Sequence, residues 1–408
     1  MKDFDQIISR CKETSRISSK VVDEFLIYYA AERNNLENEM NPKFAAYKHI
    51  IQEFPKEWGN RLKSQYIAHK IFKREGLIKN YLNHTALKRL RQQEMKYLEF
   101  QAENPWRFSF SIIKEITFEN FYIMEDVFSG DEFLLYSPGV TKTLESQPAI
   151  LWFNMISFNG LCWQSFGPIG AYRSFEPDDI FFFATELNPG IADEEDLLSD
   201  LENDPVPYMM LTAGANYPVL FNKKEHVVHA MAEYDMDNMD TKSLSASFQK
   251  EYNKGVYRLS LKKWEKPPHF SQAYYDENEK IIVLSSMTDR GFIALVEGLN
   301  ACGYDFSPDP FVRVNPVMVT TASDILKRKI ELFRYERLFS KESSPAKKEN
   351  LDRLNRLLDM AMQDINAGRQ PDIEAYAKRA EVDPETARRV IEQVTAKLNK
   401  MDKRKKKK

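Results

Sequence analysis

Apolar residues in the first hundred positions recur every three or four residues, which is the spacing of one face of an α-helix. The clearest apolar stripe runs from Ser19 to Arg33, and a second runs from Trp58 to Ile71. A third helix is predicted from Asn83 to Gln101, because Asn83 can cap its first turn. The pattern therefore predicts a helical domain over residues 1–103.

The spacing changes in the next part of the chain, where apolar and aromatic residues alternate or form short runs between turn residues. About five strands fit residues 106–190, which predicts a small antiparallel sheet or a partly open barrel. The runs Ile150–Phe153 and Ile180–Ala184 are predicted to be buried strands. We expect Trp152 and Phe182 in the core, because large aromatic side chains bury the most apolar surface.

An acidic segment, Asp193–Pro205, predicts the end of this β-domain and the start of an α+β domain over residues 205–322. Five strands are predicted there: Tyr208–Thr212, Tyr217–Asn222, His226–Tyr234, Gly255–Lys263 and Lys280–Ser286. An amphipathic helix follows from Asp289 to Cys302. A last strand is predicted over Phe311–Thr320, at a sheet edge because Pro316 interrupts it.

Helical spacing returns over residues 323–368, with one helix from Ser323 to Phe339 and another that opens at Ser344. Residues 371–400 then predict two short helices joined by a tight turn at Glu381–Asp383.

This last segment resembles a helix-turn-helix, in which a small residue such as Ala377 lets two helices cross closely and an apolar residue such as Val382 fills the turn. Glu381 stands where the turn glycine usually lies. The resemblance implies that the second helix and the residues after it contact DNA, through Thr386, Arg388, Arg389, Lys397, Lys400, Lys403 and Arg404. A three-helix module for protein contacts or dimerisation is the alternative interpretation.

Charge is distributed unevenly along the 408 residues. The net charge is -3, whereas residues 397–408 carry +7, so residues 1–396 sum to -10. A basic tail at residues 401–408 can bind an anionic partner by counterion release, and a solvated end without a partner is the alternative.

Residues that usually carry catalysis or metal binding do not form a recognisable pattern. The cysteines Cys11, Cys162 and Cys302 are odd in number and far apart in sequence, which predicts reduced thiols, and the apolar neighbours of Cys162 predict an unreactive one. His226 and His229 are three apart on a predicted strand and should face opposite ways, which argues against zinc. Phosphate-binding loops and a nucleophile elbow are absent from the sequence, so we expect no cofactor and no catalytic residues.

Three segments follow one another within residues 106–320. The first is WRFSFSIIKEITFENFYIMEDVFSGDEFLLYSPG, the second contains the aromatic strands, and the third is KIIVLSSMTDRGFIALVEGLNACGYD. This arrangement resembles the body of bacterial proteins that end in a SEC-C zinc motif. The zinc cysteines of that motif are missing here, and the resemblance implies a fold rather than an activity.

The sequence therefore predicts an α+β protein with a helical N-terminal domain, a central β-domain, a second α+β unit and a helical C-terminal module. Scattered charges in the first residues, and no run of 18 apolar residues, predict a cytoplasmic protein without a membrane segment. We expect a non-enzymatic protein that binds DNA through its C-terminal helices and lysine tail. A cytoplasmic protein-interaction or scaffold protein is the alternative.

Overall fold

The computed structural model describes residues 4–240, 244, 246–339, 353–358, 360, 361, 364 and 370–392. Helices lie at both ends of the chain, and mainly antiparallel sheets lie between them, which confirms the predicted α+β class. The chain divides into two compact units, Met1–Leu332 and Phe333–Lys408.

Helices form the first hundred residues, as predicted. They are α1 (Phe4–Ser18), a π-helix (Ser19–Leu26), α2 (Ile27–Arg33), α3 (Leu36–Ala46), α4 (Lys48–Ile51), α5 (Lys56–Phe72), α6 (Ile78–Leu82), a 3-10 helix (Thr85–Arg89) and α7 (Gln92–Glu103). The predicted helix from Asn83 to Gln101 is thus divided in two. The reason is that Leu90 and Arg91 have extended backbone, which ends the 3-10 turn before α7 begins.

The next five strands close into a barrel in the order β1-β2-β3-β5-β4. Their bounds are β1 (Arg107–Phe118), β2 (Phe121–Asp126), β3 (Glu132–Tyr136), β4 (Leu151–Phe158) and β5 (Trp163–Tyr172), and α8 (Pro138–Ser146) connects β3 to β4. Neighbouring strands are antiparallel except β3 and β5, which pair in parallel where Leu135 lies beside Trp163. The predicted sheet is therefore a closed barrel rather than an open or partly open one.

Side chains of the barrel strands alternate between two apolar clusters. One face of β4 contributes Trp152 and Ile156 to a cluster shared with β2 and β3. The opposite face contributes Phe153, whose ring stacks on those of Phe108 and Phe110 at centroid distances of 5.1 and 4.4 Å. These three rings belong to the large core that also contains the N-terminal helices. Trp152 is buried, as predicted.

The predicted strand at Ile180–Ala184 is wrong, because the segment belongs to α9 (Pro177–Leu187). Pro177 occupies the first turn, and the side chain of Asp179 accepts a hydrogen bond from the backbone N–H of Glu176 at 2.8 Å. These start signals favour a helix over the aromatic run that suggested a strand. Phe182 is nevertheless buried, as predicted.

A six-stranded sheet follows in the order β13-β8-β12-β11-β10-β9, beside a two-stranded one of β6 and β7. The strands are β6 (Phe221–Asn222), β7 (Glu225–His226), β8 (His229–Asp235), β9 (Phe248–Asn253), β10 (Val256–Leu261), β11 (Gln272–Asp276), β12 (Ile281–Ser286) and β13 (Val312–Val314). The predicted helix from Asp289 is α12 (Asp289–Asn300), and its apolar side packs on the larger sheet.

Two strands predicted in this region are wholly or partly helical. Asp193 caps α10 (Glu194–Asn203), and Tyr208–Thr212 lies in α11 (Val206–Met210) and a 3-10 helix (Leu211–Gly214), so the strand predicted there is wrong. The strand predicted over Phe311–Thr320 covers only the short β13. Asn315 then caps α13 (Pro316–Leu326), and Pro316 begins this helix instead of interrupting a strand.

The second unit is helical where it is described. It contains α14 (Glu336–Phe339), α15 (described at residues 353–358, 360, 361 and 364), α16 (Ile373–Ala380) and α17 (described at residues 384–392). The helix predicted from Ser323 to Phe339 is wrong in extent, because α13 ends at Leu326 and α14 begins at Glu336. The predicted helix start at Ser344 and the basic tail at 401–408 lie outside the described residues. None of the helices in the described ranges is long and apolar enough to cross a membrane.

Candidate functional site

The turn between α16 and α17 ends the first helix with two backbone hydrogen bonds. The N–H of Val382 donates to the carbonyl of Ala377 at 3.0 Å, and the N–H of Glu381 donates to that of Lys378 at 3.3 Å. This pair of bonds forms a Schellman motif, which requires a left-handed residue between the helix and the following chain. Glu381 supplies it with φ +55°. A glutamate therefore adopts the conformation for which a glycine was expected in the turn.

Small side chains form the core of this module. Ala377 and Ala380 of α16 and Ala387 of α17 are buried together with Leu357 of α15 and Ile391 of α17. Alanines at the crossing let two helices approach closely, which agrees with the role predicted for Ala377. Val382 packs on the edge of the same cluster, also as predicted.

Asp383 fixes the start of α17. Its side chain accepts a hydrogen bond from the backbone N–H of Thr386 at 2.9 Å, and this bond is the main cause that lowers the pKa of the Asp383 carboxyl. The helix N-terminus favours the ionised carboxylate. Thr386 is thus engaged in the cap and half-buried, and it is less available to a ligand than the sequence suggested.

Two of the predicted contact residues lie on the exposed side of α17. Arg388 and Arg389 are both exposed, and the guanidinium of Arg388 lies 3.9 Å from the carboxylate of Glu374. Such a long, exposed ion pair contributes little to stability, so Arg388 can exchange it for another anion. The remaining predicted contacts, Lys397, Lys400, Lys403 and Arg404, lie outside the described residues.

The acidic side chains of the module outnumber the basic ones. Residues 370–392 contain six acids (Asp372, Glu374, Glu381, Asp383, Glu385 and Glu392) and four bases (Lys378, Arg379, Arg388 and Arg389), a net charge of -2. Arg353 of α15 partly offsets this negative charge, because its guanidinium lies 3.3 Å from the carboxylate of Glu381. The surplus of positive charge at this end of the chain therefore comes from residues 397–408.

A polar cavity of about 530 Å³ lies in the first unit, between the N-terminal helices and the barrel. Hydroxyl and amide side chains of α1, α5 and β5 line much of it, among them Ser15, Ser64 and Gln164. Asp23 and Arg61 are the charged groups in its lining, one of each sign. Because these two charges are opposite, the cavity is better suited to a ligand with uncharged polar groups than to an anion. Sequence reasoning missed the cavity because its walls come from segments far apart in the chain.

The thiols of Cys11 and Cys162 are in contact, with their Sγ atoms 3.4 Å apart. All three cysteines are free thiols, as predicted. The setting of Cys162 is more polar than its sequence neighbours suggest, because the amide nitrogen of Asn159 lies 3.5 Å from its Sγ atom. Apolar side chains such as Phe121 and Leu134 pack around both thiols, as predicted for Cys162, and its lack of reactivity stays a prediction.

His226 and His229 belong to different strands. His226 ends β7 and His229 begins β8. Burial lowers the pKa of His229 to about 4. Within the part of the chain that the structure describes, no group of three or more histidine, cysteine, aspartate or glutamate residues is arranged to hold a metal ion.

Comparisons with protein-family models, with curated proteins and with solved structures give no match to this chain.

Proposed function

We propose that this chain binds double-stranded DNA through the α15–α17 module, with α17 as the recognition helix and the basic residues after it as phosphate contacts. The observation that carries the proposal is the α16–α17 turn. A left-handed Glu381 and a buried Ala377 set two short helices at a close crossing, and α17 then presents two exposed arginines. A helix-turn-helix offers its second helix to the major groove across a short turn of this kind, so the turn supports the proposal.

The two kinds of basic residue would have different tasks. Arginine can donate two hydrogen bonds to a guanine edge, so Arg388 and Arg389 are suited to read bases. Lys397, Lys400, Lys403 and Arg404 are suited to bind phosphates, which gives affinity without sequence preference. Because residues 370–392 carry a net charge of -2, the +7 of residues 397–408 is needed for attraction to the duplex.

The proposal is tested by fluorescence anisotropy of the full chain with labelled duplexes of mixed sequence, between about 50 and about 200 mM salt. We expect Arg388→Ala to weaken binding to the preferred sequence by roughly 1–3 kcal/mol, because a base contact is lost. Arg16→Ala is the matched control, since Arg16 is an exposed arginine of α1 in the other unit. It should leave binding unchanged.

Replacement of Lys397, Lys400, Lys403 and Arg404 by alanine should weaken binding to all sequences alike. The slope of log affinity against log salt should become shallower by about 0.9 for each phosphate contact that is lost. Absence of binding by the intact chain at about 50 mM salt would reject DNA binding. Equal losses for Arg388→Ala and Arg16→Ala would reject α17 as the recognition helix.

The excess of acids in residues 370–392 favours a second candidate, a protein-interaction or scaffold role in the cytoplasm. Six acids on two short helices repel phosphates but can pair with a basic partner surface. Absence of DNA binding in the same titration would favour this role.

A further inference from the structure

The two thiols in contact join segments that are distant in the sequence. Cys11 lies on the buried side of α1 and Cys162 directly precedes β5, so 151 positions separate two Sγ atoms that are 3.4 Å apart. Both side chains are buried, whereas Cys302 is partly exposed and belongs to the region of the six-stranded sheet. The two sulfurs need to approach by little more than an ångström to reach the length of a disulfide bond, about 2 Å.

Both sulfurs lie in an apolar cluster with Phe121 and Leu134, and one polar side chain, Asn159, contacts them. The amide nitrogen of Asn159 lies 3.3 Å from the Sγ atom of Cys11 and 3.5 Å from that of Cys162. The carbonyl oxygen of the same amide accepts the backbone N–H groups of Leu161 and Cys162, both at 2.9 Å, which fixes its orientation. Arg10 lies beside the pair, because its Nε atom donates to the backbone carbonyl of Asn159 at 3.0 Å.

These contacts favour the thiolate at one of the two positions. The hydrogen bond with the Cys162 thiol is the main cause that lowers the pKa of Cys11, and Asn159 and Arg10 act in the same direction, while burial opposes them. A thiolate is the nucleophile in thiol oxidation. Cys11 is therefore placed to react first and Cys162 to react second.

We propose that Cys11 and Cys162 form an oxidation site, at which a hydroperoxide converts the two thiols into an intramolecular disulfide. The Cys11 thiolate attacks one oxygen of hydrogen peroxide, the O–O bond breaks, and a sulfenic acid forms as the leaving hydroxide takes up a proton to give water. The sulfur of Cys162 then attacks the sulfenic acid, an S–S bond forms, and a second water leaves. Two thiols lose two electrons in total, and the peroxide is reduced to two waters.

The disulfide would tie α1 to the barrel at one wall of the polar cavity. Gln164 already connects the two sides, because its amide nitrogen donates to the carbonyl of Cys11 at 3.2 Å and to the hydroxyl of Ser15 at 3.0 Å. Ser15 and Gln164 both line the cavity. Oxidation would thus fix the cavity wall that hydrogen bonds hold in the reduced form.

Access to the buried pair depends on α1. Only Ile7, Cys11, Thr14 and Ile17 of its 15 residues are buried. Elements with few buried side chains open locally at low free energy. A small oxidant such as hydrogen peroxide can therefore reach Cys11 during such openings, and reduction can follow the same route.

The test treats the reduced full chain with hydrogen peroxide, alkylates the remaining thiols under denaturing conditions and maps the peptides by mass spectrometry without reduction. We expect two of the three cysteines to resist alkylation, a linked pair of peptides that contain Cys11 and Cys162, and recovery of both thiols with dithiothreitol. Amide exchange within α1 should become slower after oxidation, and exchange within α16 and α17 should not change.

Matched variants separate this pair from general oxidation. Cys302→Ser should still form the link, whereas Cys11→Ser and Cys162→Ser should each lose it. Arg10→Gln should slow oxidation several-fold and Arg16→Gln, on the same helix, should not. Three alkylatable thiols after peroxide treatment, a link that involves Cys302, a link between two chains, or sulfinic acid at Cys11 without any link would each overturn the proposal. Because the wild-type peptide map decides the matter, a variant that fails to fold does not prevent the test.

Discussion

The barrel region and the C-terminal module are stabilised in different ways. The first unit buries Trp106, Trp152, Tyr66 and Tyr172 completely, whereas the buried residues in the described part of the module are mainly alanines with one leucine and one isoleucine. Burial contributes roughly 25 cal/mol per Å² of apolar surface, so large rings stabilise far more than methyl groups do. The module depends more on a close crossing and on a well-formed turn. Large side chains thus fix the barrel, and backbone geometry fixes the module.

The largest effect that would test this comparison is expected inside the barrel. Trp152→Ala should lower the free energy of unfolding of the first unit by about 3–5 kcal/mol, because it opens a cavity where a fully buried ring packs. Urea denaturation followed by tryptophan fluorescence measures this loss. Trp152→Phe is the control, since it keeps an aromatic ring at the site and should cost clearly less. Similar losses for the two variants would show that ring packing is not what stabilises the barrel.

The next largest effect is a dependence of the stability of the first unit on pH. Burial lowers the pKa of His229 to about 4, below the usual 6.5, so the unfolded chain binds more protons between these values. The contribution of His229 is therefore present above about pH 6.5 and is lost as the pH falls toward about 4, with a loss of about 2 kcal/mol at about pH 5.

Urea denaturation of wild type and His229→Gln at about pH 5 and about pH 7 isolates the contribution of His229 to the free energy of unfolding. The comparison is necessary because Asp179 acts in the opposite direction: burial raises its pKa to about 7, so its contribution is lost as the pH rises. Equal pH dependence in wild type and variant would rule out His229 as its source.

A larger side chain where α16 and α17 cross should lower the stability of the module alone. Ala377→Leu places a larger side chain between α16 and α17 and should destabilise the module by about 1–3 kcal/mol. Amide exchange should accelerate in these two helices and stay unchanged in β4. Ala375→Leu, at a less buried position of the same helix, is the matched control. An equally large effect of the control would contradict the close crossing at Ala377.

The smallest expected effect comes from the turn. Glu381→Gly and Glu381→Ala both remove the ion pair with Arg353, but only glycine adopts a positive φ without steric cost. The glycine variant should therefore be more stable than the alanine variant by about 1 kcal/mol. Thermal unfolding of the two variants measures this difference in stability, and amide exchange in α16 is a second measure of it. Equal stability would mean that the left-handed turn carries no strain at this position.

Local patterns predicted those parts of the fold in which a single spacing decides the structure. The N-terminal helices, the strands around Trp152 and the turn after α16 follow directly from residue order. Aromatic runs were misleading at Ile180–Ala184 because composition suggested a strand while Pro177 and Asp179 specified a helix start. Pro316 was misread for the same reason, since proline suits the first turn of a helix as well as a sheet edge.

The features that depend on distant residues were beyond the reach of sequence reasoning. Barrel closure rests on the parallel pairing of Leu135 with Trp163, and no local pattern indicates it. The contact between Cys11 and Cys162 joins residues 151 positions apart, so spacing rules for cysteine pairs do not detect it. By contrast, Arg388 and Arg389 are exposed on α17, as the resemblance to a helix-turn-helix implied, because both the resemblance and the structure depend on local helical spacing.

The closure of the barrel also bears on how the protein behaves at high concentration. A closed barrel has no unpaired edge strand, so it offers no template for pairing with another chain. In the six-stranded sheet the edges are β13 and β9. β13 has only three residues and is followed at once by the cap of α13, while β9 carries Lys250 and Glu251. Short length at one edge and charge at the other are the usual protections against aggregation. Replacing Lys250 and Glu251 by valine would remove this protection at β9, the longer of the two edges.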